Sequence, residues 1–195
     1  LALEFKFVLM FCLMLIFFQL TSEFYDLFKK IYQSKNKILF LALLFTIIYL
    51  LFFIIVVGLT LHDNFIEKKL YLYLIITICV STDIGGYVFG KIFKGKKLTK
   101  LSPRKTYSGM IGSFILSFLS VLLFFKNFYD LYFLIVFSLF ISSISQIGDI
   151  FISFLKRKAK IKDSSSILPG HGGLLDRFDG LIFAIPIGTI IINIL

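Results

Sequence analysis

The side chains able to do chemistry crowd into residues 145–179. Ser145, Asp149 and Ser153 recur every four residues, Lys156, Arg157 and Lys162 follow, and Asp176 and Asp179 stand three apart after a Pro169-Gly170-His171-Gly172-Gly173 run. Spacing of three puts Asp176 and Asp179 on one face of a helix, at an N-terminus whose macrodipole favours negative charge. Alone, the pair reads as dipole stabilisation with Arg177 as ionic partner. Joined by Asp149 from a separate segment, it reads as an oxygen ligand set for Mg2+ or Mn2+, which bind carboxylates and substrate phosphates and keep waters. A metal held there would clamp a transferring phosphoryl group.

The basic residues divide in two. Lys158, Lys160 and most of residues 91–100 fit topology signals and attraction to anionic headgroups. Lys105, Lys156, Arg157 and Lys162 have acids, Ser, Thr and Pro as neighbours, and these four read as anion ligands, Arg by its fork and Lys as a point charge. The glycines around His171 can expose N–H groups to an anion ahead of a helix. His171 itself is open to three readings: acid/base, phosphate donor or turn stabiliser. Asp83, followed by Gly85-Gly86-Tyr87, lies inside an apolar segment. An ionisable group there is a functional candidate, with a structural hydrogen bond as the alternative.

The elements that position these residues are membrane helices. The chain is 58% hydrophobic and 16% charged, with mean hydropathy +0.96, and its apolar residues fall in blocks of about 20, the length that crosses a bilayer core. Six spans are expected, over residues 1–20, 38–61, 70–90, 108–125, 131–150 and 174–195, in an all-α polytopic bundle. Residues 21–37 are expected to be a polar loop. No basic n-region or small-residue cleavage site marks residues 1–20 as a signal peptide. Cys12 and Cys79 lie within apolar segments and read as buried small residues. No fixed-period repeat appears, so residues 1–195 are expected to form one membrane domain: N-terminal spans over 1–80, and a catalytic part over 81–195.

Charge gives the orientation. Of the 21 Lys and Arg, all but Lys6, Lys68, Lys69 and Lys126 fall in or beside the loops after the first, third and fifth spans. Those loops are expected in the cytoplasm, which also explains the net charge of +10 without nucleic acid. Asp83, Asp149, Asp176 and Asp179 are then expected at similar depth on the cytoplasmic face, beneath two basic loops.

Other chemistries find less support. Residues 90–97 approach a phosphate loop but lack the Ser/Thr after the lysine and follow a helix rather than a strand. There is no Gly-x-Ser-x-Gly, and zinc ligand spacing is absent.

Ser153-x-Leu155-Lys156-Arg157, then Lys162-Asp163-x-Ser165, then Leu168-Pro169-x-His171-Gly172-Gly173-Leu174-x-Asp176-Arg177-Phe178-Asp179 resembles the signature of the phosphatidate cytidylyltransferase (CDP-diacylglycerol synthase) family. Asp83-Ile-Gly-Gly-Tyr87 with Gly90, and Ser102-Pro-Arg-Lys-Thr106 with Gly109, are similar to two further blocks of that family. By motif the likeness covers about the last 115 residues; the family usually has additional N-terminal spans.

The resemblance implies a reaction of CTP with phosphatidate giving CDP-diacylglycerol and pyrophosphate in phospholipid biosynthesis. It implies Mg2+, with or without a monovalent cation such as K+, held by Asp149 and Asp176 with Asp179 and Asp163 assisting. Lys105, Lys156, Arg157, Lys162 and Arg177 would hold phosphates. His171, Gly172 and Gly173 would shape the nucleotide pocket, with Asp83 and Ser153 as further substrate contacts. It also implies a homodimer in the bacterial cytoplasmic membrane, with the site facing the cytoplasm. Two rival readings are a CDP-alcohol phosphotransferase, whose Asp-Gly-x-x-Ala-Arg pattern is absent, and an ion-coupled transporter relaying through Asp83 and Asp149, which would place charge near mid-membrane.

Overall fold

The computed structural model describes residues 2–33, 35–62, 66–99, 102, 105–165, 167 and 172–194. Among the described residues seven helices run in order: α1 (Ala2–Tyr32), α2 (Asn36–His62), α3 (Ile66–Phe93), α4 (Tyr107–Phe125), α5 (Leu131–Lys158), α6 (Leu175–Phe178) and α7 (Leu181–Ile194). Five of them, α1 to α5, are long and apolar enough to cross a membrane. The all-α membrane bundle expected from hydropathy is what the chain forms. Among the described residues the only β pairing is one bridge, Lys97 to Thr106.

Two expected boundaries differ. Residues 21–32 were expected in a loop, yet α1 continues through them. The reason is an apolar face: Leu20, Phe24, Leu27 and Phe28 recur at helical spacing and are buried with Leu50, Ile152, Leu155 and Leu175. The helix therefore continues beyond the expected span, packed against α2, α5 and α6. The sixth segment is also not one helix. It breaks at Asp179 and Gly180 into the four-residue α6 and the 14-residue α7. Cys79 is buried as expected, but Cys12 is exposed on α1.

α3 and α4 form the tightest pair, because glycines remove the side chains between them. A Cβ at Gly85 would stand 2.6 Å from the Gly112 carbonyl oxygen, and one at Gly109 would stand 2.7 Å from that of Gly86. Small residues of this kind let membrane helices approach to backbone contact. Polar links then tie the pair to α5: Ser113 Oγ donates to the Thr82 carbonyl (2.7 Å), and Thr82 Oγ1 to Ser142 Oγ (2.8 Å).

α7 contains Pro186, which cannot donate to the carbonyl of Ile182 one turn earlier. The Tyr49 hydroxyl of α2 donates to that carbonyl instead, at 3.0 Å. An apolar surround offers no water for such a group, so Tyr49 supplies the bond the proline removes. This fixes α7, and the turn before it, against α2.

Candidate active site

A cavity of about 510 Å3 opens at the end of the bundle where the basic loops lie. Its walls include Asp83 and Gly86 of α3, Lys105 and Thr106 of the α3–α4 connection, Gln146 and Asp149 of α5, and Asp176, Arg177 and Asp179.

The α3–α4 connection is folded back on itself. Leu98 N–H donates to the Lys105 carbonyl (2.8 Å), and Tyr107 N–H to the Lys96 carbonyl (3.1 Å). Thr106, extended at φ −122° and ψ 158°, caps α4 by accepting from Gly109 N–H at 3.1 Å, as an N-cap threonine does. Lys105, immediately before this cap, is carried over the cavity and forms an ion pair with Asp149.

Asp149 also accepts from Ser153 Oγ at 3.4 Å, and it lines the cavity together with Asp179. Two glycines create that meeting. A Cβ at Gly148 would stand 2.8 Å from the Asp179 carbonyl oxygen, and one at Gly180 would fall on Ser145 Oγ. The α6–α7 turn is thereby pressed onto α5, with one acid on each side of the contact. Asp179 lies in the turn outside the long helices; burial first, and then the charge of Asp149, raise its carboxyl above the ordinary carboxylate range. Two acids in one site share protons in this way.

Asp176 lines the same cavity, but its oxygens are engaged. Lys156 Nζ donates to Oδ1 at 2.6 Å, with both side chains largely buried. Oδ2 accepts from Ser164 N–H (2.9 Å) and Gly173 N–H (2.9 Å), and Ser164 Oγ lies 3.1 Å from it. Burial alone would raise its carboxyl. The Lys156 bond and the two amides outweigh burial and hold it below its usual range. Gly172, at φ +80°, carries the chain into this arrangement, and a Cβ there would stand 2.7 Å from Asp176 Oδ2.

Glu23, bonded to a residue that holds Asp176, was missed by motif reasoning. It lies on α1, in the stretch expected to be loop, and is 1% exposed. Its carboxylate accepts from Ser164 Oγ (2.5 Å), Ser165 Oγ (2.9 Å), Leu174 N–H (2.8 Å), Leu175 N–H (2.9 Å) and Gln19 Nε2 (2.7 Å). The available signal was its position on the face shared by Leu20, Phe24 and Leu27, where a carboxylate is costly unless bonded.

Of the other expected site residues, Arg157 is exposed and reaches the Ile161 carbonyl at 3.4 Å. Lys162 and Asp163 are exposed on the loop, and neither lines the cavity. Ser153 approaches the site only through Asp149. His171 lies outside the described residues. Gly173 is buried, where a Cβ would collide with Ser164 Oγ and Glu23 Oε2.

The donor set suits a hard cation. The carboxylates lining the cavity offer oxygen only, with no Cys or His among the lining residues. Among the described residues no group of three or more His, Cys, Asp or Glu closes to metal-binding geometry. Mg2+ does not need one, since it binds through one or two carboxylates together with substrate phosphates. Asp149 and Asp179, which line the same cavity, are the residues that could hold the ion.

The profile of the Cytidylyltransferase family matches residues 2–195. Among curated proteins, the chain is 44% identical to a phosphatidate cytidylyltransferase of Rickettsia felis over 117 residues, 55% of this chain and 52% of the relative. It is 40% identical over 127 residues to that of Staphylococcus haemolyticus, 63% of this chain and 48% of the relative. It is 34% identical over 164 residues to that of Staphylococcus saprophyticus, 82% of this chain and 62% of the relative. The chain spans about half the length of the first two relatives. By the profile that covers nearly all of it, the chain belongs to the cytidylyltransferase family.

Proposed function

We propose that this chain transfers a cytidylyl group from CTP to phosphatidate, giving CDP-diacylglycerol and pyrophosphate. The observation that carries this reading is the cavity itself. It gathers carboxylates from α3, α5, α6 and the α6–α7 turn with the cations Lys105 and Arg177. The names of its relatives, quoted above, point the same way.

In this reaction a phosphatidate oxygen attacks the α-phosphorus of CTP, and the bond to the bridging oxygen of the β-phosphate breaks. The attacking phosphate is already ionised, so little base catalysis is required. The obstacle is repulsion between two polyanions, and positioned cations lower it. Asp149 and Asp179 would hold Mg2+, with Asp83 and Asp176 lining the same cavity. Bound Mg2+ supplies charge neutralisation and polarisation of the phosphoryl oxygens.

Lys105, which pairs with Asp149 at the cavity, would be the cation that meets a nucleotide phosphate there. Arg177 faces the same space and offers its fork to a second phosphate. Lys156 stays with Asp176, so its part is to fix that acid rather than to grip substrate. The basic loops beside the cavity support an orientation towards the cytoplasm, and the bacterial relatives support the cytoplasmic membrane.

The test is incubation of the purified protein with CTP labelled at the α-phosphate, phosphatidate in mixed micelles, and Mg2+. A labelled CDP-lipid is expected, and none from Asp149→Asn. CTP left unconsumed by well-folded protein would sink this reading.

A further inference from the structure

We propose that Glu23 of α1 is a positioning residue that closes the loop before α6 and thereby sets Asp176 for the transfer reaction. This rests on the cytidylyltransferase reading above. The carboxylate grips two stretches that lie ten residues apart in the chain: the hydroxyls of Ser164 and Ser165 on one side, and the amides of Leu174 and Leu175 on the other. It acts as a staple across the mouth of the loop. Asp176 sits one residue beyond the second grip, and its Oδ2 is held by the amides of Ser164 and Gly173, which belong to the two stapled ends. The orientation of Asp176 therefore depends on both ends staying together.

Ser164 joins the two acids. Its hydroxyl lies 2.5 Å from Glu23 Oε2 and 3.1 Å from Asp176 Oδ2. A hydroxyl has one hydrogen, and the shorter contact takes it, so Glu23 keeps that proton off Asp176. The requirement for glycine at 173 has the same origin, since a Cβ would fall on the Glu23 carboxylate. Glu23 comes from a helix that contributes nothing to the lining of the cavity, so it acts on the chemistry only through these partners.

The test compares Glu23→Gln and Glu23→Asp with wild type in detergent–lipid micelles. Gln keeps the shape but turns one acceptor into a donor facing N–H and O–H groups. The expected result is a fall in kcat of about 10–100-fold, the usual effect of removing a group that orients a site residue. KM for CTP should hold, and Glu23→Asp should recover part of the loss. Combined with Ser164→Ala, Glu23→Gln should cost less than the product of the single losses. Hydrogen exchange gives a second readout independent of turnover: the amides of Leu174 and Leu175 should exchange faster in Glu23→Gln, while those of residues 141–155 do not. Wild-type kcat with wild-type exchange overturns the proposal. So does a loss of activity that matches a loss of folded protein, with Glu23→Asp no better than Glu23→Gln. If wild type consumes no CTP, the assigned reaction fails, and the exchange measurement still decides whether Glu23 staples the loop.

Discussion

Gly148 packs its bare α-carbon against the carbonyl of Asp179, so closely that a Cβ there would stand 2.8 Å from the oxygen. This contact brings the acid of α5 beside the acid of the α6–α7 turn, because Asp149 is the next residue along. The same Cβ would stand 2.6 Å from the Phe183 ring, so neither backbone nor side chain can make room cheaply. Gly148→Ala should push the turn away from α5. Overpacking of this kind costs about 1–3 kcal/mol. A displacement near 1 Å at a reacting site costs about 100-fold in rate. Thermal unfolding in detergent and kcat per folded molecule measure the two effects separately.

Asp149→Asn and Asp176→Asn should both abolish transfer, but only one should disturb the loop. Asp149 is held by Lys105 and Ser153 at the open cavity, and its neutral replacement leaves the α3–α4 connection pinned by its own backbone bonds. Asp176 receives Lys156 and two amides. An amide in its place leaves at least one largely buried donor without an acceptor, at about 1–3 kcal/mol. Trypsin should therefore cleave at Lys160 and Lys162 faster in Asp176→Asn than in Asp149→Asn. Equal cleavage would contradict the difference in roles.

Acid should unfasten the same loop. The Asp176 carboxyl lies below its ordinary value of 3.8 in the folded protein. A carboxyl lowered in this way contributes stability that is present above the unfolded value and is lost as pH falls through the folded one. Hydrogen-exchange protection of residues 172–175, corrected for the intrinsic pH dependence of exchange, should fall below about pH 4. Asp176→Asn should show a smaller step, because of the two carboxylates that hold these residues only Glu23 then remains to be protonated.

Hydropathy and charge made the membrane helices legible, because a span must be apolar for its full length. The acids of the cavity were legible because carboxylates at helix ends have few structural excuses. What stayed hidden depends on contacts between distant segments. Residues 21–32 look polar in one dimension, and only Ile152, Leu155 and Leu175 across the gap explain why Leu20, Phe24 and Leu27 keep the helix going. The preference of Lys156 for Asp176 over an open phosphate site is likewise set by packing, since the two lie on different elements. Glu23 belonged to no motif, and its role depends on amides more than 150 residues away.

Tyr49 offers a prediction in which stability and activity separate. Its hydroxyl serves the Ile182 carbonyl that Pro186 leaves without a helical donor, and its ring packs on Phe183 with centroids 5.8 Å apart. Tyr49→Phe keeps the ring and removes only the donor. The orphaned carbonyl then lies among apolar groups, which costs about 1–3 kcal/mol. The loss should appear as a lower unfolding temperature. Neither Tyr49 nor Ile182 lines the cavity, so kcat per folded molecule should stay near wild type. Pro186→Ala in the same background restores an N–H one turn after Ile182, and should recover most of the lost stability. If Tyr49→Phe melts like wild type, the hydroxyl is not the group that completes α7.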